Sequence, residues 1–191
     1  MTELNISQLL PPALAGERVI LLPLEPGDHP ALFEAASAPL IWAQHPEPDR
    51  YLPEGFQRYF THILTSGGAL KILESETQKV IGSSTFYKYS PALSQIAIGY
   101  TFLERRFWGG QFNGEVKRLM LQHAFTFVDR VIFEVGSHNL RSQAALKKIG
   151  AFLIDRVQGN ALDGAQSDHL VFAIDRTARH GEVEDVSPAQ R

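Results

Sequence analysis

A pair of glycines, with two arginines shortly before it, stands directly before a run of residues with helical spacing. The segment covers residues 104–110 and reads ERRFWGG. Gly109 and Gly110 allow a tight turn with unobstructed amide N–H groups, and the N-terminus of a helix carries about half a positive charge. A phosphate or pyrophosphate would find hydrogen-bond donors there, and Arg105 and Arg106 would add charge. The alternative is an ordinary turn, which glycine pairs form more often.

The residues after this turn predict the clearest helix of the sequence, over 111–128. Its apolar residues recur at helical spacing and are Phe112, Val116, Leu119, Met120 and Phe127. A strand at 131–135 and a second helix at 140–148 follow, with Asn139 as the expected N-cap and Gly150 as the residue that ends the helix. The glycine turn is therefore expected at a helix N-terminus, where proteins commonly bind phosphate groups.

The remaining elements predict a mixed sheet flanked by helices, an α/β class of the α+β mixed-sheet type. Further strands are indicated by runs of branched and aromatic residues at 18–24, 69–74, 80–89, 94–103, 151–157 and 169–174. Two further helices are expected at 29–37 and 56–64. The short connections between residues 69 and 103 predict an antiparallel meander.

Length and composition predict one hydrophobic core. The chain has 191 residues, of which 44% are hydrophobic and 20% are charged, and these values are ordinary for a globular domain. Residues 1–16 contain Pro11 and Pro12 and are expected to form an arm without regular structure. A domain at 17–175 and a disordered tail at 176–191 complete the expected organisation.

Several classes of function are excluded by what the sequence lacks. The formal net charge is −3 and there is no basic stripe, so nucleic acid is not an expected partner. The absence of cysteine excludes disulfides and thiolate nucleophiles. The histidines show no metal-ligand spacing, so no metal is expected. No stretch approaches the roughly 20 apolar residues of a membrane helix, and we expect a cytoplasmic protein that does not bind membranes.

Two stretches carry a family resemblance: IGYTFLERRFWGGQFNGEVKRLMLQHAF at 98–125 and VGSHNLRSQAALKKIGA at 135–151. Together they resemble the GNAT superfamily of N-acetyltransferases, in particular the branch of ribosomal-protein N-terminal acetyltransferases. Weaker likeness extends the resemblance over residues 17 to about 175. It implies a GNAT-like acyl-CoA N-acyltransferase fold of about seven strands, with a splayed parallel pair, and about four helices.

The resemblance also implies that acetyl-CoA is the acetyl donor. In the family, a turn of Gln or Arg, two residues, Gly, one residue and Gly or Ala holds the CoA pyrophosphate. Arg106, Gly109 and Gln111 occupy these places, so Gln111 departs from the pattern. Pantetheine would lie between the splayed strands and pair with free backbone groups. The expected cofactor contacts are Tyr100, Phe102, Leu103, Arg105, Arg106, Trp108, Gly109, Gly110, Gln111, Asn113, Asn139 and Ser142.

Two of these expected contacts have simpler alternatives. Trp108 beside a turn is typical of a side chain that packs on the core. Asn113 in the first turn of the helix would cap it or bind a phosphate. Lys117 lies four residues further on and shares the helix face of Asn113, so we expect both side chains to be solvated.

Proton transfer requires a base for the amine and an acid for the departing thiolate. The strand before the turn contains no carboxylate, and the first one after it is Glu104, which suits a base or a solvated charge. A chain of water molecules is the alternative route. By the resemblance, the late helix would carry a tyrosine as the acid, but Leu146 stands there. The resemblance assigns this role in its own branch to a serine, here Ser142, whose alternative is to help cap the helix.

A proline-rich loop brings together Trp42, His45, Arg50 and Tyr51. The resemblance places this loop at the acceptor pocket, so these residues are the expected substrate contacts. Their alternatives are structural: Trp42 in the core, His45 as a hydrogen-bonding group of the loop, and Arg50 in a surface ion pair.

The reaction implied is direct attack by a primary amine on the thioester of acetyl-CoA, without a covalent enzyme intermediate. An α-amine is mildly favoured, because its pKa near 8 leaves far more neutral amine at pH 7 than a lysine pKa near 10.4. The acceptor would be a protein or peptide N-terminus or a small amine. The alternative is an inactive CoA-binding module; a dinucleotide-binding domain ranks lower because no GxGxxG follows an early strand. Dimers are common in the family, so a homodimer is one further expectation.

Overall fold

One mixed sheet runs through the protein, and the computed structural model describes residues 5–109, 111–160 and 166–176. In these ranges the sheet has eight strands in the order β1-β2-β3-β4-β5-β6-β8-β7. Its strands are β1 (Leu14–Ala15), β2 (Val19–Pro23), β3 (Ala69–Glu74), β4 (Val80–Ser90), β5 (Gln95–Leu103), β6 (Arg130–Gly136), β7 (Phe152–Asn160) and β8 (Gln166–Asp175). Neighbouring strands are antiparallel except β5 and β6, which are parallel.

Helices cover both faces of this sheet. They are α1 (Ile6–Leu9), α2 (His29–Ala36), α3 (Pro39–Trp42), α4 (Pro53–Thr65), α5 (Phe112–Ala124) and α6 (Leu140–Lys148). On one face, Val116 and Met120 of α5 join a buried cluster with sheet residues such as Ile96. On the other face, Phe56 and Ile63 of α4 pack with residues of α2 and α3. The helices α4 and α5 thus each bury an apolar stripe.

The predicted mixed sheet and GNAT-like fold are confirmed, with small differences in the number of elements. The sheet has eight strands instead of about seven, and six helices are found in the described ranges instead of about four. The expectation that residues 1–16 lack regular structure is wrong in part, since α1 and β1 lie there. Both elements are too short to leave a periodic pattern, and β1 forms because it pairs with β2.

The start of β2 is held by a carboxylate from α5. Glu115 accepts backbone hydrogen bonds from Glu17, Arg18 and Val19, with N···O distances of 3.0, 2.8 and 3.1 Å. Burial raises the pKa of Glu115, but these bonds and Arg118 outweigh burial and lower it overall. A Cβ atom at Gly16 would lie 2.6 Å from the Glu115 carboxyl carbon, so the chain passes this carboxylate as glycine.

The parallel pair separates after three residues. Gln95, Ile96 and Ala97 of β5 pair with Arg130, Val131 and Ile132 of β6. Beyond this point β6 continues beside β8 as far as Gly136, whereas β5 stays with β4. The register of β4 and β5 shifts between the Ser83 and Thr85 pairings, and Tyr100 in the bulge has a φ of 50°. A bulge bends its strand, which opens a gap toward β6. The predicted splay is confirmed.

We expect Glu115→Gln to destabilise the fold by about 1–3 kcal/mol at pH 7, because three backbone N–H groups, of which that of Val19 is buried, lose their charged acceptor. A carboxyl whose pKa is lowered in the folded state stabilises that state above the unfolded pKa and loses this contribution as the pH falls through the folded pKa. The difference from wild type in urea unfolding should therefore shrink in acid. Glu76→Gln, at an exposed position, is the matched control. Equal midpoints for wild type and Glu115→Gln at pH 7 would contradict the anchoring role.

Candidate active site

A cleft with a volume of about 970 Å³ opens where β5 and β6 separate. Its wall is built from β5, β6, the first half of α5, most of α6 and the proline-rich loop after α3. This volume is in the range of sites that enclose a cofactor or ligand. The separated strands, the glycine turn and the proline-rich loop all contribute to this wall.

The glycine turn lies at the end of the cleft formed by the N-terminus of α5. Gly109 has a φ of 69°, and a Cβ atom there would meet no heavy atom within 4 Å, so its backbone conformation is what requires glycine. The first hydrogen bond within α5 joins Glu115 N to Gln111 O, so the preceding N–H groups have no acceptor within the helix. Gly109 and Asn113 line the cleft. Gly110 lies outside the described residues.

The charged residues just before this turn are not part of the described wall of the cleft. Arg106 Nε contacts Glu104 Oε1 at 2.9 Å, and its guanidinium lies over the Phe107 ring. The described wall of the cleft does not include Glu104, Arg105, Arg106 or Gln111. Glu104 as a base and the other three as cofactor contacts therefore stay predictions.

Trp108 connects the turn to the rest of the cleft. Its indole N–H donates to Leu103 O at 2.9 Å, and the Arg141 guanidinium lies 4.0 Å from the ring centroid. Arg141 in turn donates to Ile41 O at 2.8 Å. Trp108 also packs against both apolar clusters, as expected for a packing residue, and it lines the cleft together with Tyr100, Phe102 and Leu103.

The start of α6 forms a further part of the cleft wall. Asn139 Oδ1 accepts a hydrogen bond from Ser142 N at 3.1 Å, so the predicted N-cap is confirmed. Asn139 and Ser142 line the cleft, as does the buried Leu146. The role of Asn139 and Ser142 in binding the cofactor, and of Ser142 as the acid, stays a prediction.

Trp42, His45 and Arg50 line the cleft at the proline-rich loop, whereas Tyr51 packs on the cluster of α2 and α4 and is not part of the described wall. Arg50 is 1% exposed, so its interpretation as a surface ion pair is wrong. Its guanidinium lies 5.5 Å from the Trp42 ring centroid and 4.7 Å from that of Tyr59. Aromatic faces thus hold a buried cation at this end.

Glu47 is the partner of this cation and was not among the residues predicted from the sequence. Its side chain is buried in the wall of the cleft, and Oε2 lies 3.1 Å from both Nε and Nη2 of Arg50. The spacing of three residues between Glu47 and Arg50 is the pattern that would have indicated the pair. A proline-rich loop gives no helical periodicity, however, so the sequence does not show that the two side chains point inward.

His45 completes this cluster as a neutral imidazole. Its Nε2 lies 3.2 Å from Arg50 Nη1, and its Nδ1 lies 3.2 Å from Glu47 N. Burial, followed by the charges of Arg50, His169 and Arg141, holds the pKa of His45 well below its usual value. At neutral pH this imidazole is therefore uncharged, and its low pKa makes it a weak base toward an ammonium group.

Tyrosines shape the middle of the cleft. The Tyr59 hydroxyl lies 2.7 Å from Ser83 Oγ and donates to Tyr100 O at 2.7 Å, which holds the β5 bulge. The Tyr87 ring crosses Gly99, where a Cβ atom would lie 2.8 Å from it, and the Tyr87 hydroxyl accepts the Glu134 N–H. Burial raises the pKa of Tyr87 well above its ordinary value, so this phenol stays protonated.

Lys117 is buried, and the expectation that it is solvated is wrong. Its side chain points from α5 toward the gap, where Nζ donates to Thr101 Oγ1 at 2.7 Å and lies 5.4 Å from the Phe133 ring centroid. Burial lowers the pKa of Lys117 to about 7. The helical spacing was correct, but the face that Lys117 shares with Asn113 lies against the sheet.

Neither a metal site nor a membrane segment is found in the described parts of the chain. Among these residues, no group of three or more His, Cys, Asp or Glu is arranged to hold a metal ion. None of the helices in the described ranges is long and apolar enough to cross a membrane.

The cleft joins a helix N-terminus, which suits a phosphate group, to a gap between parallel strands. This arrangement is typical of an acyl-CoA-dependent transferase. A family model described as "Acetyltransferase (GNAT) domain" matches residues 18–151, which is more than half of the chain. The chain therefore belongs to the GNAT acetyltransferase family, and the resemblance seen in its sequence is confirmed. It is an acyltransferase of the family that uses acetyl-CoA. No curated protein matches the sequence significantly.

Solved structures support this assignment. A T. thermophilus protein assigned to the acetyltransferases has 27% sequence identity and a TM-score of 0.71, with 87% of this chain and 90% of that chain covered. The microcin C7 self-immunity acetyltransferase MccE, solved with acetyl-CoA and AMP, has 16% identity and a TM-score of 0.68, with 84% and 94% covered. RimJ of Mycobacterium smegmatis, solved with CoA-disulfide, has 22% identity and a TM-score of 0.63, with 85% and 84% covered. The last two show the fold.

The buried ammonium of Lys117 makes stability depend on pH. Because its pKa is about 7 in the folded state and near 10.4 when unfolded, the unfolded chain binds more protons between these values. This contribution therefore makes the fold more stable as the pH rises through that window. Lys117→Met lacks it, so we expect its melting temperature relative to wild type to be highest below pH 7 and to fall toward pH 10. Calorimetry with the exposed Lys79→Met as control measures this; parallel pH curves for wild type and Lys117→Met would contradict it.

Proposed function

We propose that this chain transfers the acetyl group of acetyl-CoA directly to a primary amine, and that the acceptor is an α-amine of a peptide N-terminus or a small molecule. The observation that carries the proposal is the continuous cleft from the N-terminus of α5, through the gap between β5 and β6, to the buried aromatic end at Trp42. One end suits a pyrophosphate and the other an acceptor. Amine and thioester would therefore meet between them.

The donor half of the site depends on backbone groups. The N–H groups at the start of α5 and the turn at Gly109 would hold the pyrophosphate. Residues 98–103 of β5 lack a strand partner on the β6 side in the described structure, so their N–H and C=O groups are available to pantetheine. A backbone N–H of this segment would also stabilise the oxyanion that forms when the amine attacks the thioester carbonyl.

The acceptor half favours an amine that loses its proton easily. His45 is neutral and lies against Arg50, and the Glu47 carboxylate is paired with the same arginine. Neither group is a strong base. An α-amine with a pKa near 8 has a neutral fraction at pH 7 roughly two to three orders of magnitude larger than that of a lysine side chain. The chemistry of this pocket therefore supports an α-amine over a lysine.

Gly109→Val tests the donor half. A branched side chain at a φ of 69° forces the turn out of its conformation, so the turn amides no longer converge on a pyrophosphate. We expect the Kd for CoA in isothermal titration to rise at least about ten-fold, a cost of about 1.4 kcal/mol. Gly27→Ala is the matched control, because a Cβ atom there meets nothing within 4 Å. Unchanged affinity in Gly109→Val would rule out the turn as the pyrophosphate site.

The reaction itself is tested by mass spectrometry of a panel of peptides and small amines incubated with acetyl-CoA. We expect acetylation of free α-amines and little on peptides whose only amine is a lysine. Ser142→Ala should lower the rate if its hydroxyl contacts the sulfur, as the family resemblance implies. Binding of acetyl-CoA without transfer to any amine would instead support an inactive CoA-binding module.

A further inference from the structure

Lys117 is a buried cation in the acyl-donor part of the cleft, and the proposed function above does not yet use it. Its Nζ lies between Thr101 on β5 and Phe133 on β6. Both residues lie beyond the last paired residues of these strands, Ala97 and Ile132. The ammonium group therefore sits in the gap where the thioester end of pantetheine would lie.

Burying an ammonium group at this position costs free energy, and no carboxylate in the described part of the chain pairs with it. The side chain is 6% exposed, and its hydrogen bond to Thr101 Oγ1 satisfies one of three N–H donors. Thr101 Oγ1 is shared with Ser84 Oγ at 2.7 Å. Burying an unpaired ammonium costs free energy, and a packing role would be served better by methionine or leucine. Donors left over in a cleft that binds an acyl donor indicate a chemical use.

Cleavage of the thioester creates a need that Lys117 fits. When the amine nitrogen bonds to the carbonyl carbon, the C–S bond breaks and its electron pair leaves with the sulfur. A thiolate in a water-poor cleft is unfavourable unless a cation lies close or a proton arrives. An ammonium group meets both requirements.

The other polar groups of the cleft are less suited to this role. The Glu134 carboxylate is paired with Lys88 Nζ at 2.6 Å, and the Tyr87 hydroxyl has a raised pKa. His45 is held neutral beside Arg50. Ser142 lines the cleft, but a serine hydroxyl is a much weaker acid than an ammonium group.

Resting on the proposed function, we propose that Lys117 is the general acid of the acetyl transfer: its ammonium donates a proton to the CoA sulfur as the C–S bond breaks. The products are the amide, CoA thiol and the neutral amine of Lys117. The proton that the acceptor nitrogen loses passes to water, and Lys117 takes one back from water when the cleft opens on CoA release. Lys117 is therefore a catalytic residue, and Thr101 positions it.

The pH dependence of this step follows from the surroundings of Lys117. Burial is the sole cause that shifts its pKa, to about 7. The titratable and charged groups on the neighbouring elements line the cleft without entering this shift, and they are Tyr87 and Lys88 on β4, Tyr100 on β5, Glu134 on β6, and Arg141 and Lys148 on α6. Because the acid is active as the ammonium, kcat should fall as the pH rises through this pKa.

The kinetic test compares wild type with Lys117→Met and Lys117→Arg at a saturating amine concentration. We expect Lys117→Met to lower kcat about 100-fold or more and to lose the alkaline fall of kcat, with the KM for acetyl-CoA changed less than about three-fold. Lys117→Arg keeps the charge but holds its proton, so it should also lack the alkaline fall. A loss confined to KM, or an unchanged kcat profile, would overturn the proposal.

A substrate with a better leaving group separates proton donation from structural damage. In acetyl-seleno-CoA, selenium replaces the thioester sulfur and leaves as a selenolate that needs no proton. The rate of Lys117→Met with this substrate should approach that of wild type, because proton transfer to the leaving group no longer matters. An equal deficit with both donors would show that Lys117 acts through structure, and the proposal would fail.

A binding experiment keeps this inference distinct from the proposed function. Ultraviolet absorbance of the CoA thiolate measures the thiol pKa of bound CoA without any turnover. In Lys117→Arg, whose guanidinium stays charged while the thiol titrates, this pKa should lie about one unit or more below that in Lys117→Met, because a cation next to the sulfur favours the thiolate. Equal values would remove Lys117 from the sulfur even if the enzyme acetylates amines. A lowered value in a protein that acetylates no amine would sink the proposed function and leave the lysine–sulfur contact standing.

Discussion

The structure depends on one constraint, namely that β5 cannot remain paired with both of its neighbours along its whole length. The bulge at Tyr100 keeps β5 beside β4 and turns it away from β6 after Ala97. Backbone N–H and C=O groups in the gap need other partners, since unpaired buried groups are costly. A chain of amides such as pantetheine can supply them. In the proposed function, the cofactor would therefore complete the sheet as well as bring the acetyl group.

Charged side chains buried around this gap cost folding free energy. Lys117 lies on the α5 side of the sheet, and Arg50 with Glu47 lies on the α4 side. Apolar residues at these positions would pack at lower cost, because burying charges carries a desolvation penalty. Arg50 has an ionic partner and two aromatic faces, whereas Lys117 has one hydroxyl and one ring. The two sites are thus built differently: Arg50 has an ionic partner, whereas Lys117 has none in the described part of the chain.

One arginine, Arg141, connects the glycine turn to α3. Arg141 stacks on Trp108 beside the glycine turn and donates to a carbonyl of α3 at Ile41. The proline-rich loop follows α3, so the cofactor end and the acceptor end share one arginine.

The sequence by itself determined the order of strands and helices, because periodicity and turn residues are local properties. It placed the strand at 69–74 and the helix at 140–148 within the bounds that the structure has, and it located the glycine turn and the Asn139 cap. Resemblance to a family then predicted the splay. The short elements α1, β1 and α3 were missed, since they owe their structure to neighbours rather than to pattern.

Tertiary structure alone decided which polar side chains face the cleft. Lys117 was expected in solvent because helical spacing shows which residues share a face, but not that this face covers a gap in a sheet. Arg50 and Glu47 turn inward because Trp42 and Tyr59 provide aromatic surfaces from two other elements. Burial, and with it the charge state of a side chain, is a property of what packs around it, and residues distant in the chain supply that packing.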